Sequence, residues 1–195
     1  MPPWATRLLS EIDAVDQRAV GLAKPLSTDQ LNWKPSPGEW SIGQCLDHLC
    51  VANEVYLAAM ETGLPGRRPD VAQEITPGWF GRWFIRTAIE PSPQSRKGRA
   101  PRKIVPASSV DGAILDRFLR TNVKAREFVR RAARYDVNHV RFRNPFVPII
   151  FFTVGTGLEI LVRHQRRHLL QAERVRQRLQ MSWSPGSSDP GKRRV

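Results

Sequence analysis

Two of the four histidines in this chain stand four residues apart, in Leu161-Val162-Arg163-His164-Gln165-Arg166-Arg167-His168-Leu169-Leu170. On an α-helix that spacing is about 40° of rotation and one turn of rise, so both imidazoles leave the same face. Two neutral imidazoles so placed can bind a single divalent ion. Four histidines placed at random show this spacing in about one chain in sixteen, so the pair carries little weight until its context is read. A third ligand has to come from another element, and His48 is the candidate, inside a second helical pattern. His139, in the irregular Asn138-His139-Val140-Arg141, reads as a loop residue. Cys45, one turn before His48, reads as a small buried hydrophobe outside the ligand set.

The elements that must position these side chains follow from periodicity. Leu8, Ile12, Val15, Ala19 and Leu22 predict a first helix from Thr6 to Lys24, stopped by Pro25. Leu26 to Glu39 is a connection with Leu31 and Trp33 as packing anchors. Ser41 and Gln44 form a capping box that starts the second helix, with Trp40 and Cys45 at the hydrophobic-staple positions. Its stripe runs Ile42, Cys45/Leu46, Leu49, Asn53, Tyr56 and Met60, with His48 at the edge. Gly63-Leu64-Pro65-Gly66 ends it. Residues 64–107 form a long irregular excursion. Within it, Gly78 to Glu90 predicts a short helix carrying Trp79, Phe80, Trp83 and Phe84, read as core, pocket wall or dimer interface. The third helix is expected from Ser108 or Ser109 to Arg134, with Ile114, Phe118, Val123, Phe128/Val129 and Ala132 on its apolar side. After an apolar connection that includes Phe146 to Phe152, Gly155-Thr156-Gly157 opens the fourth helix, with Thr156 as its cap. The stripe there is Leu158, Leu161, Gln165/His168, Ala172, Val175 and Leu179, and it places the histidine pair within or beside the inward face. Four long amphipathic segments and no convincing strand pattern predict an all-α four-helix bundle over residues 1–181, followed by a disordered basic tail at 182–195.

The 195 residues suffice for one core without staples, and the net charge is +13. The basic residues are spread over every segment, which favours a solvated surface and acidic ligands. Cys45 and Cys50 are about 140° apart on a helix and too distant to bridge, so a reducing cytoplasm fits. The first residues show no signal-peptide core, and the longest apolar run, Phe146 to Val154, is too short to span a membrane.

Three stretches resemble the DinB/YfiT-like superfamily of four-helix-bundle metalloproteins, over roughly Thr6 to Gln180. The first is Leu31-Asn32-Trp33-Lys34-Pro35-Ser36-Pro37-Gly38-Glu39-Trp40-Ser41-Ile42-Gly43-Gln44, running into His48-Leu49. The second is Arg102-Lys103-Ile104-Val105-Pro106, and the third is His164-Gln165-Arg166-Arg167-His168-Leu169-Leu170-Gln171. The resemblance implies a three-histidine site, His48, His164 and His168, for Ni²⁺, Zn²⁺ or a similar ion, with open positions for water or substrate. It also implies thiol chemistry of the mycothiol or bacillithiol S-transferase kind, and a homodimer. Imidazoles suit Zn, Ni, Cu and Fe alike, so the ligand set does not choose the metal, and Fe or Mn stay open.

The expectation is therefore a cytoplasmic metalloenzyme acting on a small molecule, with a low-molecular-weight thiol as cofactor and hydrolysis as the alternative reaction. No general base stands beside the histidines, since Glu159 and Glu54 lie on other faces. Gln44 and Gln171 are candidates for holding imidazoles by hydrogen bonds. Ligand histidines must be neutral, so metal should leave below roughly pH 6. The rival is a non-catalytic module that holds nucleic acid through Arg96, Lys97, Arg99, Arg102, Lys103 and the tail. No nucleic-acid motif supports it, and its aromatic and basic residues are not interleaved.

Overall fold

Pro3 opens the first helix earlier than Thr6, because proline's fixed φ suits a first turn in which its missing N–H has no intrahelical partner. The structure, a computed structural model, describes residues 1–90 and 101–182. In it α1 spans Pro3–Ala23 and buries Trp4 as well as Leu8, Ile12, Val15, Ala19 and Leu22. The connection after it contains a single helical turn, α2 (Thr28–Asn32), started by a capping box between Ser27 and Gln30. α3 (Ile42–Glu61) begins where the sequence predicts, with Ser41 and Gln44 satisfying each other's backbone N–H. The expected helix at 78–90 is α4 (Trp79–Phe84), which runs on into a π-helical turn at Ile85–Ile89.

α5 (Ile114–Ala132) starts later than Ser108 or Ser109. Residues 107–110 are spent on tethers instead. The Ala107 N–H donates to Asp47, and Asn32 brackets Val110, accepting from its N–H at 2.9 Å and donating to its carbonyl at 2.8 Å. Val123, expected on the apolar side, is 51% exposed. The stretch expected to be strandless carries a small antiparallel hairpin, β1 (Arg141–Arg143) with β2 (Phe151–Thr153), whose central pair is Phe142 and Phe152. Strands of three residues are too short for alternation to be read.

α6 (Val154–Ser182) follows β2 directly, so Thr156 is inside the first turn. The capping oxygen comes from Thr153, whose Oγ1 accepts from the Thr156 N–H at 3.2 Å. Gly157 is required here: a Cβ would lie 2.6 Å from Met60 Sδ and 2.8 Å from the Phe142 ring.

α1 and α3 each pack against both α5 and α6, which makes an all-α four-helix bundle with the order α1, α5, α3, α6 around the ring. Its core is in two apolar clusters. One is built on Trp4, Leu8, Tyr56, Met60, Phe128, Phe142 and Leu158, the other on Val15, Leu46, Leu49, Phe118, Leu169 and Val175. Between them lies a buried polar layer. Asn122 donates to Asp16 and accepts from Asn53 and Gln165. On α6 the gap between the clusters runs from Val162 to Leu169 and contains both histidines. Among the described residues no helix is long and apolar enough to cross a membrane. Arg96, Lys97, Arg99 and the tail beyond Ser182 lie outside the described residues.

Candidate metal centre

His48 is carried by the first half of α3; at the edge of its stripe, it is 2% exposed and faces the neighbouring α6. Its neighbour Asp47 accepts from the Ala107 N–H at 2.8 Å and from Arg117 at 2.6 Å. Gln44 donates to the Ala107 carbonyl at 2.8 Å. These two side chains fasten the segment after the 3₁₀ turn Arg102–Ile104 onto α3. The turn thereby presents the Ile104 carbonyl to His48 Nδ1 at 2.6 Å. Gln44 spends its hydrogen bonds on the cap and on the Ala107 carbonyl, the role that capping already explains, and so positions the segment that meets His48.

α6 brings the other two rings to the same place. His48, His164 and His168 each offer a nitrogen within 4.8 Å of the other two. The ring centroids are 4.5 to 5.0 Å apart, and His48 Nε2 lies 3.2 Å from His164 Nε2. A carbonyl oxygen only accepts, so His48 carries its proton on Nδ1 and turns the Nε2 lone pair toward the other rings. The same argument holds for His168, whose Nδ1 is 3.0 Å from Gln171 Oε1, the role expected for Gln171. Two of three tautomers are therefore fixed from outside with Nε2 left bare, the arrangement a metal-ligating histidine has. The Trp40 ring, expected only to staple a helix start, lies 4.8 Å from His48 and 5.7 Å from His168.

The cluster is neutral. Burial pushes His168 down to about 3, with repulsion from His48 and Arg167 adding to it. Burial, then His168 and His48, hold His164 well below the ordinary imidazole value. Burial also lowers His48, against the opposing pull of the Ile104 carbonyl and Asp47. Cys45 and Cys50 are free and buried, and burial raises both thiols to about 12, so neither supplies a thiolate.

The rings form one wall of a pocket of about 320 Å³. Tyr56, Phe84, Ile89, Ile104, Phe146, Ile160 and Leu161 make the rest largely apolar, with Asn53 and Arg167 as further polar groups. Of the apolar connecting segment, Phe146 lines the pocket, Phe152 is core, and Ile149 is 88% exposed. Phe80 and Phe84 turn inward against Phe152, whereas Trp79 and Trp83 face outward. Glu159 is buried and pairs with the half-exposed Arg7 and Arg163, Glu54 pairs with Arg117, and exposed His139 pairs with Asp136. None of the three lines the pocket.

The sequence matches one family model. The family model of the DinB superfamily covers residues 11–172. The chain belongs to the DinB superfamily. No curated protein matches it. In this DinB-superfamily chain three residues beside the cluster escape side-chain pattern reading. The Ile104 contribution is a backbone carbonyl, Trp40 has a sufficient explanation as a staple, and Arg167 is one of 31 basic residues. The last did carry a signal: Ile160, Leu161, His164, Arg167 and His168 follow the i, i+1, i+4, i+7, i+8 pattern of a single helix face.

Proposed function

We propose that this chain is a cytoplasmic metal-dependent enzyme in which His48, His164 and His168 hold one divalent ion, Zn²⁺ or Ni²⁺ ahead of Fe²⁺ or Mn²⁺. Its reaction is transfer of a low-molecular-weight thiol, of the mycothiol or bacillithiol kind, to a small electrophile. The observation that carries this reading is the convergence of three neutral imidazole nitrogens, two with outward-fixed tautomers, on a pocket wall. Three nitrogen ligands leave positions open, and an ion so held supplies Lewis acidity toward a thiol or a carbonyl.

The chain's own residues do the rest. The Ile104 carbonyl and Gln171 hold protons at Nδ1 of His48 and His168, which keeps both Nε2 lone pairs available. The apolar walls offer the body of the electrophile a matching surface. No carboxylate is among the described lining residues. Hydrolysis needs a base within reach of the attacking water. In thiol transfer the S–H proton is lost to solvent, the sulfur forms the new S–C bond, and the leaving group departs with its electron pair. That demand is lighter, so thiol transfer stands ahead of hydrolysis.

Elemental mass spectrometry on protein made without a polyhistidine tag should find about one divalent ion per chain. Loss of free thiol in the presence of an electrophile then tests the reaction. A metal-free native protein that takes up no added Zn²⁺ or Ni²⁺ rejects the reading. The homodimer implied by the resemblance would use Trp79 and Trp83, which are 76% and 55% exposed. Light scattering should give twice the chain mass, falling to one chain mass in Trp79→Ser/Trp83→Ser. A monomeric native protein removes the dimer.

A further inference from the structure

We propose that Arg167 is the anion-binding residue of the histidine pocket, and that the pocket takes a small organic acid with an apolar body and one carboxylate. The inference rests on the reading of this pocket as the substrate site, but it does not need the metal.

Arg167 is the one charged side chain among the described lining residues. It stands on the α6 face that also carries His164 and His168, so its guanidinium shares a pocket with the neutral rings. Among the described residues no carboxylate pairs with it. Its neighbours are spoken for: Arg163 pairs with Glu90 and Glu159, and Arg166 with Glu11. Arg167 instead donates from Nη1 alone to two backbone carbonyls of the π turn, Ala88 at 2.7 Å and Ile89 at 3.4 Å. Those contacts fix the plane of the guanidinium. Five N–H groups in a planar fork exceed what one nitrogen can use there, and a fork is the geometry that takes a carboxylate through two parallel bonds.

The surroundings make that charge matter. Arg167 is half-buried at the edge of the pocket, where the walls made by Phe84, Ile104, Phe146 and Leu161 screen a charge pair less than a fully open surface does. A volume of about 320 Å³ is at the lower end for ligand pockets, which suits a small molecule and leaves no room for a polymer. A cation at one place and apolar walls elsewhere suit an acid with a hydrocarbon or aromatic body.

The test is calorimetric titration of the purified full chain with 3-phenylpropanoate and with 3-phenylpropan-1-ol, which differ in the carboxylate and share the body. The acid is expected to bind at least about tenfold tighter, as for a charge-assisted hydrogen bond in place of a neutral one. Arg167→Met should abolish the preference, and Arg167→Lys should restore part of it, with metal content and melting temperature as in the native protein. If Arg167→Met fails to fold, Arg167→Gln keeps a donor for the Ala88 carbonyl without the charge and gives the same comparison. Equal affinity for acid and alcohol, no binding of the acid, or a preference that survives loss of the arginine charge overturns the proposal; the last result would put the carboxylate on the metal. Repeating the titration after chelation separates the two readings. A preference that persists in metal-free protein upholds Arg167 whatever becomes of the three-histidine site.

Discussion

His168→Ala is expected to abolish stoichiometric divalent-metal binding, whereas Gln171→Leu should weaken it by about 10- to 100-fold and leave it in place. The two effects differ because the two residues do different things. His168 supplies one of three nitrogens, and a pair of imidazoles cannot replace a triad whose members lie within 4.8 Å of one another. Gln171 supplies no ligand; its Oε1 holds the His168 Nδ1 proton at 3.0 Å and so keeps Nε2 bare and aimed inward. Without that partner the ring can rotate or change tautomer, and affinity falls by the cost of restoring it. His48→Ala should match His168→Ala. His139→Ala is the control, since that exposed ring pairs with Asp136 and lies outside the cluster. Both ring truncations open onto the pocket rather than a sealed core, so folding should survive. Titration of chelated protein with Zn²⁺ checks all four, with circular dichroism as the folding check. Native affinity in His168→Ala would remove the triad as a metal site. Native affinity in Gln171→Leu would remove only the orienting role.

What could be read in the sequence was periodic and local. The stripes of α1, α3 and α6 put apolar residues on one face, and Ser41 with Gln44 marked a helix start to the residue. The histidine pair was legible because i, i+4 geometry belongs to any helix. His48 was legible as a histidine on a second helix, although its depth was not: the edge of a stripe becomes buried once the 3₁₀ turn covers it. The failures share a cause. The start of α5 is decided by Asn32 and Asp47, far off in sequence. The cap of α6 came from the strand before it, and the hairpin was too short for a period. The Ile104 carbonyl belongs to the backbone, which no side-chain pattern records. Arg167 shares the helix face of His164 and His168, which the sequence shows, but that it has no acidic partner among the described residues is a property of the fold.

Acidification of the metal-free protein should then cost stability from about pH 6.5 downward, earlier than any carboxylate would explain. The sign follows from where the protons bind. In the unfolded chain each histidine takes its proton near pH 6.5. In the folded chain burial lowers all three, His168 to about 3 and His164 well below the ordinary value. Below pH 6.5 the unfolded state therefore holds more protons, and the stability present above that pH is lost progressively until the folded rings titrate as well. The slope approaches about 1.4 kcal/mol per pH unit for each histidine whose uptake the fold delays. With total stabilities of about 5–15 kcal/mol, such a loss is a large fraction of what holds a domain of this size folded. Urea unfolding of chelated protein between pH 7.5 and 5 checks this above the range where the Asp and Glu ion pairs protonate. His168→Leu, which removes one delayed proton and keeps the bulk, should flatten the slope by about 1.4 kcal/mol per unit. Saturating Zn²⁺ should raise stability across this range, because the ion binds the folded state and adds RT ln(1 + [Zn²⁺]/Kd). An unchanged slope in His168→Leu would mean that His168 is not held neutral by the fold. Absence of any zinc effect at pH 7 would count separately against the metal.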